Sequence, residues 1–440
     1  MLTFNIASWS SPSTSLGCLR LCCNRIFSKP RTNPVNSPQS GQPFRLSSGP
    51  AGVKQLLDDA VLKKSAVARD DASNHRRSSR VRDESGRFVY PSSKRQRDTP
   101  KTAKTTEPLF DADKSSVLLF PGQGTQFVGM GRELLDLPKV RDIYAMASEI
   151  LGYDLLHKCL EGPQTELNQT VFCQPAVFVT SLAALERLKV THPAAIEQCI
   201  ATAGFSVGEY AALVFAGMLE FEDALRLLLL RAEAMQECSE LASSGLLTVA
   251  LRARSRLPAA LEQARNEISY ALQSEHVVCT IAIDLFTNNK VIGGHTQCLE
   301  WLEQNGAQFD VRPLKRVRVS GAFHTSLMAA ASMKLKFALK TVKFHAPKLP
   351  VIANATGSMY PGANSDAALN LHEVHTRLYK QVSQRVHWEQ TLHTLFNQSR
   401  QYFVDRGIPK VYELGPGKQL LTIMHRYNKN VAHRMHAVPV

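Results

Sequence analysis

The first 57 residues of this 440-residue chain contain no aspartate and no glutamate. They hold Arg20, Arg25, Lys29, Arg31, Arg45 and Lys54, many serines, and no single long apolar core. The missing core excludes a secretory signal. An acid-free N-terminus rich in arginine and serine fits a mitochondrial transit peptide over residues 1–50; the competing structure is a plain basic tail. No run of 18 apolar residues is free of charge, so neither a membrane span nor membrane insertion is expected. The nine cysteines never fall in CxxC spacing, and Cys18, Cys22 and Cys23 lie in the presequence. That excludes a disulfide framework and a zinc site, and no metal ligands are assigned. No internal repeat is present.

Excess positive charge is scarce where a fold needs it to hold nucleic acid. The net charge is +14, yet residues 58–115 carry 14 basic and 10 acidic side chains, and the remaining 325 residues carry 32 and 28. The basic character is mostly N-terminal, so no nucleic-acid partner is expected of the folded part. Binding of RNA or a protein through residues 58–115 stands as an addition at most.

At 44% apolar and 20% charged residues, the chain has material for a large core or two. Residues 51–69 predict an amphipathic helix with Val53, Leu56, Leu57, Ala60 and Val61 on one side. Residues 70–114 are polar and charge-dense and predict disorder. The packed region begins near Ser115. "SVLLFPGQG" predicts a buried strand and a loop, and helices follow around 131–160 and to about 190. The segment 199–203 predicts a short buried strand, and Glu222 to about Leu241 a long helix. Strands at 245–251, 277–283, 289–295 and 310–319, with helices at 257–272 and 296–305, give the ferredoxin-like order β-α-β-β-α-β. An alternating pattern resumes at 348–357 and 410–417. The architecture is α/β: a parallel-sheet large subdomain from 115–242 and 320–440, with a smaller α+β subdomain inserted at 243–319.

Four features offer chemistry. Gly204-Phe205-Ser206-Val207-Gly208 fits G-x-S-x-G between a strand and a helix start, the setting of a nucleophile elbow. Chance alone gives such a pattern in roughly one chain in several, and a capping serine in an ordinary turn fits too. "FPGQGTQFVGM" (120–130) follows a strand but is neither a dinucleotide fingerprint nor a P-loop. Its backbone N–H groups suit half of an oxyanion hole; a simple turn is the alternative. Arg231 shares a helical stripe with Ala224, Leu227, Ala234 and Cys238. A guanidinium there suits a bound carboxylate or a structural acid equally. His324 follows a strand and suits a general base, with no obvious carboxylate behind it; Asp284 and Asp310 are candidates only by sequence proximity.

Taken together, "LLFPGQGTQ", "GFSVGEYAAL", "RAEAMQ", "GAFHTSLM" and "ELGPGKQL", in this order over residues 115–430, resemble the malonyl-CoA:acyl carrier protein transacylases, in their mitochondrial form. The resemblance implies an α/β-hydrolase-like large subdomain with a ferredoxin-like insert. It implies transfer of malonyl from malonyl-CoA to the phosphopantetheine thiol of acyl carrier protein, in the mitochondrial matrix, with no cofactor, by a monomer. By that resemblance Ser206 is the nucleophile, His324 its base, and the N–H groups of Gln123 and Val207 the oxyanion hole. Arg231 binds the malonyl carboxylate. The second imidazole nitrogen is held by a backbone carbonyl rather than by an acid, assigned to His387 in "RVHW". Phe205 stands where many relatives have histidine and alters a pocket wall, and Phe323-His324 resembles malonyl-selective members. A carrier protein is acidic, which makes Lys315, Arg316, Arg318, Lys418, Arg426 and Lys429 candidates for its docking. A serine hydrolase of another class is the rival; it predicts an acid in the triad and no use for Arg231.

Overall fold

A computed structural model of the chain describes residues 111–362, 369–396 and 407–440. The presequence, the helix expected over 51–69 and nearly all of the stretch 70–114 lie outside the described residues.

Ser116–Phe120 (β1) is buried at every position. A short unbroken apolar run is what a strand covered on both faces requires, as in the middle of a parallel sheet. β1 pairs in parallel with Cys199–Gly204 (β2) on one side and Lys410–Glu413 (β8) on the other. Val351–Ile352 (β7) extends the sheet beyond β2, and Met435–Ala437 (β9) extends it beyond β8, giving the order β7-β2-β1-β8-β9. The helices around this sheet include Pro138–Leu151 (α1), Thr170–Thr191 (α2), Gly208–Phe215 (α3) and Phe221–Glu240 (α4). Later in the chain come Ala329–Ala338 (α7), Leu371–Ser383 (α8), Trp388–Phe396 (α9) and Gln419–Tyr427 (α10).

By length and composition α2 is apolar enough to cross a membrane, which a search for charge-free runs of 18 passes over because its charges fall in the last turns. It is apolar around its circumference and buried along most of its length, packed against α3 and α4. That is the form of a core helix.

The inserted unit comprises Ser244–Ala250 (β3), Leu257–Leu272 (α5), Cys279–Phe286 (β4), Asn289–His295 (β5), Thr296–Asn305 (α6) and Arg312–Arg316 (β6). Its four strands are antiparallel in the order β4-β5-β3-β6, the ferredoxin-like arrangement. It has its own apolar cluster, including Leu247, Leu261, Ile292, Leu299 and Leu302. The periodicity places both of its helices where they are found. The strand expected over 310–319 is shorter, because after Val317, whose N–H still donates to the Leu246 carbonyl of β3 at 2.8 Å, the chain leaves the sheet and turns toward His324. β4 is tied to the large subdomain by Asp284 N–H to the Val386 carbonyl and Val386 N–H to the Ala282 carbonyl, both 2.9 Å. β9 gives no sequence signal, since three residues are too few to show a period.

The packing of α3 on the sheet depends on two glycines. A Cβ on Gly204 would lie 1.9 Å from the Gly208 backbone, and one on Gly208 would lie 2.3 Å from the Phe120 carbonyl oxygen. Backbone cannot move aside as a side chain can. Gly204→Ala should therefore cost at least about 3 kcal/mol, the upper end for overpacked cores. It should lower the midpoint of thermal unfolding by several degrees; an unchanged midpoint counts against this packing.

Candidate active site

Ser206 sits between the end of β2 and the start of α3 with φ +54°, in the left-handed region that disfavours a non-glycine residue by roughly 1–2 kcal/mol. Two contacts hold it there. Its N–H donates to Asn354 Oδ1 at 2.7 Å, and its carbonyl accepts from Gln381 Nε2 at 2.9 Å. Asn354 in turn donates through Nδ2 to the Gly204 carbonyl at 2.7 Å. The turn is thus a strained elbow that exposes Oγ at the C-terminal edge of a parallel sheet, the edge where ligands bind in such folds.

His324 brings Nε2 to 2.9 Å from Ser206 Oγ. It too has a positive φ, +62°. Its Nδ1 lies 2.6 Å from the carbonyl oxygen of Gln381, and its backbone N–H donates to the Val382 carbonyl at 3.1 Å. Gln381 and Val382 lie in the last turn of α8, where carbonyls have no partner four residues on. A carbonyl can only accept, so Nδ1 carries the proton and Nε2 is left bare to take one from Ser206. The acceptor assigned to His387 is therefore corrected to Gln381. The His387 carbonyl is occupied by Thr391 N–H and Oγ1 at the start of α9, and its N–H goes to the Asn354 carbonyl. Neither Asp284 nor Asp310 serves the base, because Nδ1 is taken by the Gln381 carbonyl, and Asp284 faces Lys290, Arg385 and His387 instead. Burial, and next the Arg231 charge, push the His324 imidazole down to about 4 against the raising influence of the Gln381 carbonyl.

Arg231 projects from α4 and is only 1% exposed. Its Nη2 donates to Ser206 Oγ at 3.1 Å and to Gln381 Oε1 at 2.9 Å, and its Nη1 donates to Gln174 Oε1 at 2.5 Å. Among the described residues no carboxylate pairs with it. Both the structural-acid partner and the apolar stripe leave this question open in sequence; in space its neighbours are neutral amides. Gln123 is braced by Thr170 and Gln174 through its side chain. Among the described residues, no acceptor takes the N–H of Gln123 or of Val207, so both donors are free.

Gln123, Ser206 and His324 line a cleft of about 780 Å³ between the two subdomains, and Arg231 is buried next to Ser206 outside that lining. Phe205 and Phe323 form part of the cleft wall, and Phe205 meets the Trp388 ring edge-on at 4.9 Å between centroids. Lys315, Arg316, Arg318 and Arg426 lie along the cleft. Arg316 is engaged bidentately by Glu303, while Lys418 and Lys429 are exposed outside the lining.

Four buried polar residues of the site take no role from the sequence motifs: Gln174, Asn354 and Gln381 lie outside them, and Glu209 lies within GFSVGEYAAL. Two had a weak signal. Gln381 is a lone amide on the apolar stripe Val374, Leu378, Val382 of α8. Glu209 is an acid set in the apolar start of α3.

Residues 117–405 match the acyl transferase domain family. The chain is 45% identical over 327 residues to the human "malonyl-CoA-acyl carrier protein transacylase, mitochondrial", covering 74% of this chain and 80% of that one. The fruit-fly protein described as a probable mitochondrial transacylase of the same type is 42% identical, over 74% and 82%. Among solved structures, the malonyl CoA-acyl carrier protein transacylase of Coxiella burnetii superposes with a TM-score of 0.62 at 27% identity, over 75% and 95% of the two chains. The enzyme of Streptococcus pneumoniae superposes with a TM-score of 0.58 at 31% identity, over 74% and 96%.

The lowered His324 value has a pH consequence. The imidazole is a base only when neutral, which in the folded protein is the case above about 4. Inactivation of Ser206 by an uncharged sulfonyl fluoride should hold steady from pH 8 to 5 and fall only below. Arg231→Ala removes the neighbouring charge, so the acid limb should move upward. A wild-type midpoint near 6.5 would show an imidazole in ordinary surroundings.

Proposed function

The chain belongs to the acyl transferase family, among its malonyl-CoA:acyl carrier protein transacylases, and from that premise we propose how its residues divide the work. It is a mitochondrial enzyme that moves malonyl from malonyl-CoA to the phosphopantetheine thiol of acyl carrier protein, supplying fatty acid synthesis. The observation that carries the assignment of roles is the buried, acid-free Arg231 guanidinium 3.1 Å from Ser206 Oγ.

The substrate carboxylate takes a bidentate place on Arg231, which sets the thioester carbonyl over Ser206. His324 Nε2 takes the Ser206 proton as Oγ adds to the carbonyl carbon. The negative oxygen of the tetrahedral intermediate lies on the Gln123 and Val207 N–H groups, where each such donor contributes about 2.7–4 kcal/mol. The C–S bond breaks, His324 returns its proton to the departing thiolate, and malonyl-Ser206 remains. The carrier thiol then enters, gives its proton to His324 and reverses the steps. The imidazolium formed in between faces the Gln381 carbonyl at the negative end of α8, which favours it without an acid. No metal or redox cofactor enters this scheme. Every group in it comes from one chain, so the scheme needs no second copy. The apolar helix α2 is interior, which supports action without membrane insertion.

Lys315, Arg318 and Arg426 at the cleft suit an acidic carrier. Lys315→Glu or Arg426→Glu should raise the KM for the carrier several-fold at low salt, and the difference should shrink at about 0.5 M salt, where screening acts within a few ångströms. A KM unmoved at low salt rejects this docking site.

A malonyl-loaded protein weighed intact tests the roles. The adduct should form with wild type and be lost in Ser206→Ala. Arg231→Ala should load malonyl about 10- to 150-fold more slowly, the equivalent of the ~1.5–3 kcal/mol of a hydrogen bond to a charged group. Acetyl loading should hold or rise. A parallel fall in both would make the arginine structural.

A further inference from the structure

One carboxylate is buried among the reacting groups and takes no part in the transfer. Glu209 lies three residues after Ser206, in the first turn of α3, and is fully buried. Its Oε1 accepts from the Tyr360 hydroxyl at 2.5 Å. Its Oε2 accepts from Gln381 Nε2 at 2.6 Å and from the Asn354 N–H at 3.2 Å. Among the described residues it forms no ion pair. Burial pushes it up to about 7, against those donors and the Arg231 charge.

Gln381 has two unlike ends. Its Nε2 donates to Glu209 and to the Ser206 carbonyl, while its Oε1 accepts from Arg231. Turned over, the same amide would set NH₂ against a guanidinium and oxygen against a carboxylate and a carbonyl. With Glu209 ionised, all three contacts would then oppose like with like, because guanidinium only donates and a carboxylate and a carbonyl only accept. The Ser206 carbonyl is fixed by the elbow; the second acceptor is the Glu209 side chain.

We propose that Glu209 is a positioning residue: it fixes the direction of the Gln381 amide, and that direction holds Arg231 beside Ser206 as a receptor for the substrate carboxylate. What matters is where an acceptor stands, not its charge. An amide at position 209 can set its oxygen where Oε2 is and turn its NH₂ to the Tyr360 oxygen, which can accept. A shorter carboxylate keeps the charge but withdraws the acceptor from Gln381 by one methylene.

The crossed pair E209Q and E209D separates the two. Single-turnover loading of Ser206 with malonyl and with acetyl is followed by intact mass over a range of acyl-CoA concentration. E209Q should keep malonyl loading within about threefold of wild type, whereas E209D should lose about tenfold or more, the scale of a buried group left without its partner. The loss should fall in KM rather than in the maximal rate, and acetyl loading should stay within about threefold. Selective loss in E209Q with E209D intact would assign the effect to charge and overturn the proposal. So would a parallel loss of both acyl groups, which marks a structural residue, or no loss in either variant. Where E209D shows no cooperative unfolding transition, E209M, of similar size and without an acceptor, serves the same arm. The inference rests on the malonyl transfer proposed above. Wild-type protein that fails to load malonyl refutes that transfer, whereas wild-type loading with an unmoved malonyl-to-acetyl ratio in E209D refutes only the part given to Glu209.

Discussion

A guanidinium buried without a carboxylate against it is the constraint around which this site is arranged. Placing an unpaired charge away from water is costly, and only well-aimed dipoles make it tolerable. Here they are the amide oxygens of Gln174 and Gln381 and the Ser206 hydroxyl. The rest follows from that charge. After burial, the larger cause, it lowers the basicity of His324 further, so the imidazole is neutral before the reaction begins. Its N–H occupies a lone pair of Ser206 Oγ, which leaves the hydroxyl proton to point at Nε2. It also calls for an anion, and an acyl group with a free carboxylate supplies one.

The geometry depends on the ends of regular elements more than on their middles. Ser206 stands where β2 stops and before α3 begins, and Asn354 lies just past β7. His324 is mounted on the last turn of α8 by two carbonyls that helical geometry leaves open. Strand and helix ends offer unpaired backbone groups at fixed positions. A catalytic set anchored on them takes its rigidity from the packed sheet. The inserted subdomain adds the second wall of the cleft and delivers the chain to His324 on its return.

Much of this was legible in the sequence and some was not, for physical reasons. β1, β2 and the inserted β-α-β-β-α-β unit show themselves through period and turn residues, which are local. Ser206 and Arg231 stand out locally, through flanking glycines and an arginine on an apolar stripe; His324 is one of 14 histidines and is singled out by the motif GAFHTSLM. Gln381 shows such local contrast only weakly, as a neutral amide on an apolar stripe, and Asn354 not at all. They lie 175 and 148 residues from Ser206, and a neutral amide on a helix face or after a strand is ordinary until the fold brings it home. The assignment to His387 failed for a related reason. Which carbonyl is open depends on where a helix stops, and α9 begins at Trp388 with the His387 carbonyl already taken. The transit peptide and the charged stretch after it show themselves through composition alone.

The acceptor behind His324 is main chain, and this shapes how the protein tolerates mutation. A triad acid is encoded by one codon, and a single base change abolishes it. The Gln381 carbonyl is present whatever residue the codon specifies, provided α8 ends where it does and keeps its place against His324. Genetic drift therefore has no direct target in the base's support. The exposure lies instead in substitutions that shift the end of a helix, where a proline or an inserted residue within α8 would silence the enzyme while leaving every motif residue in place.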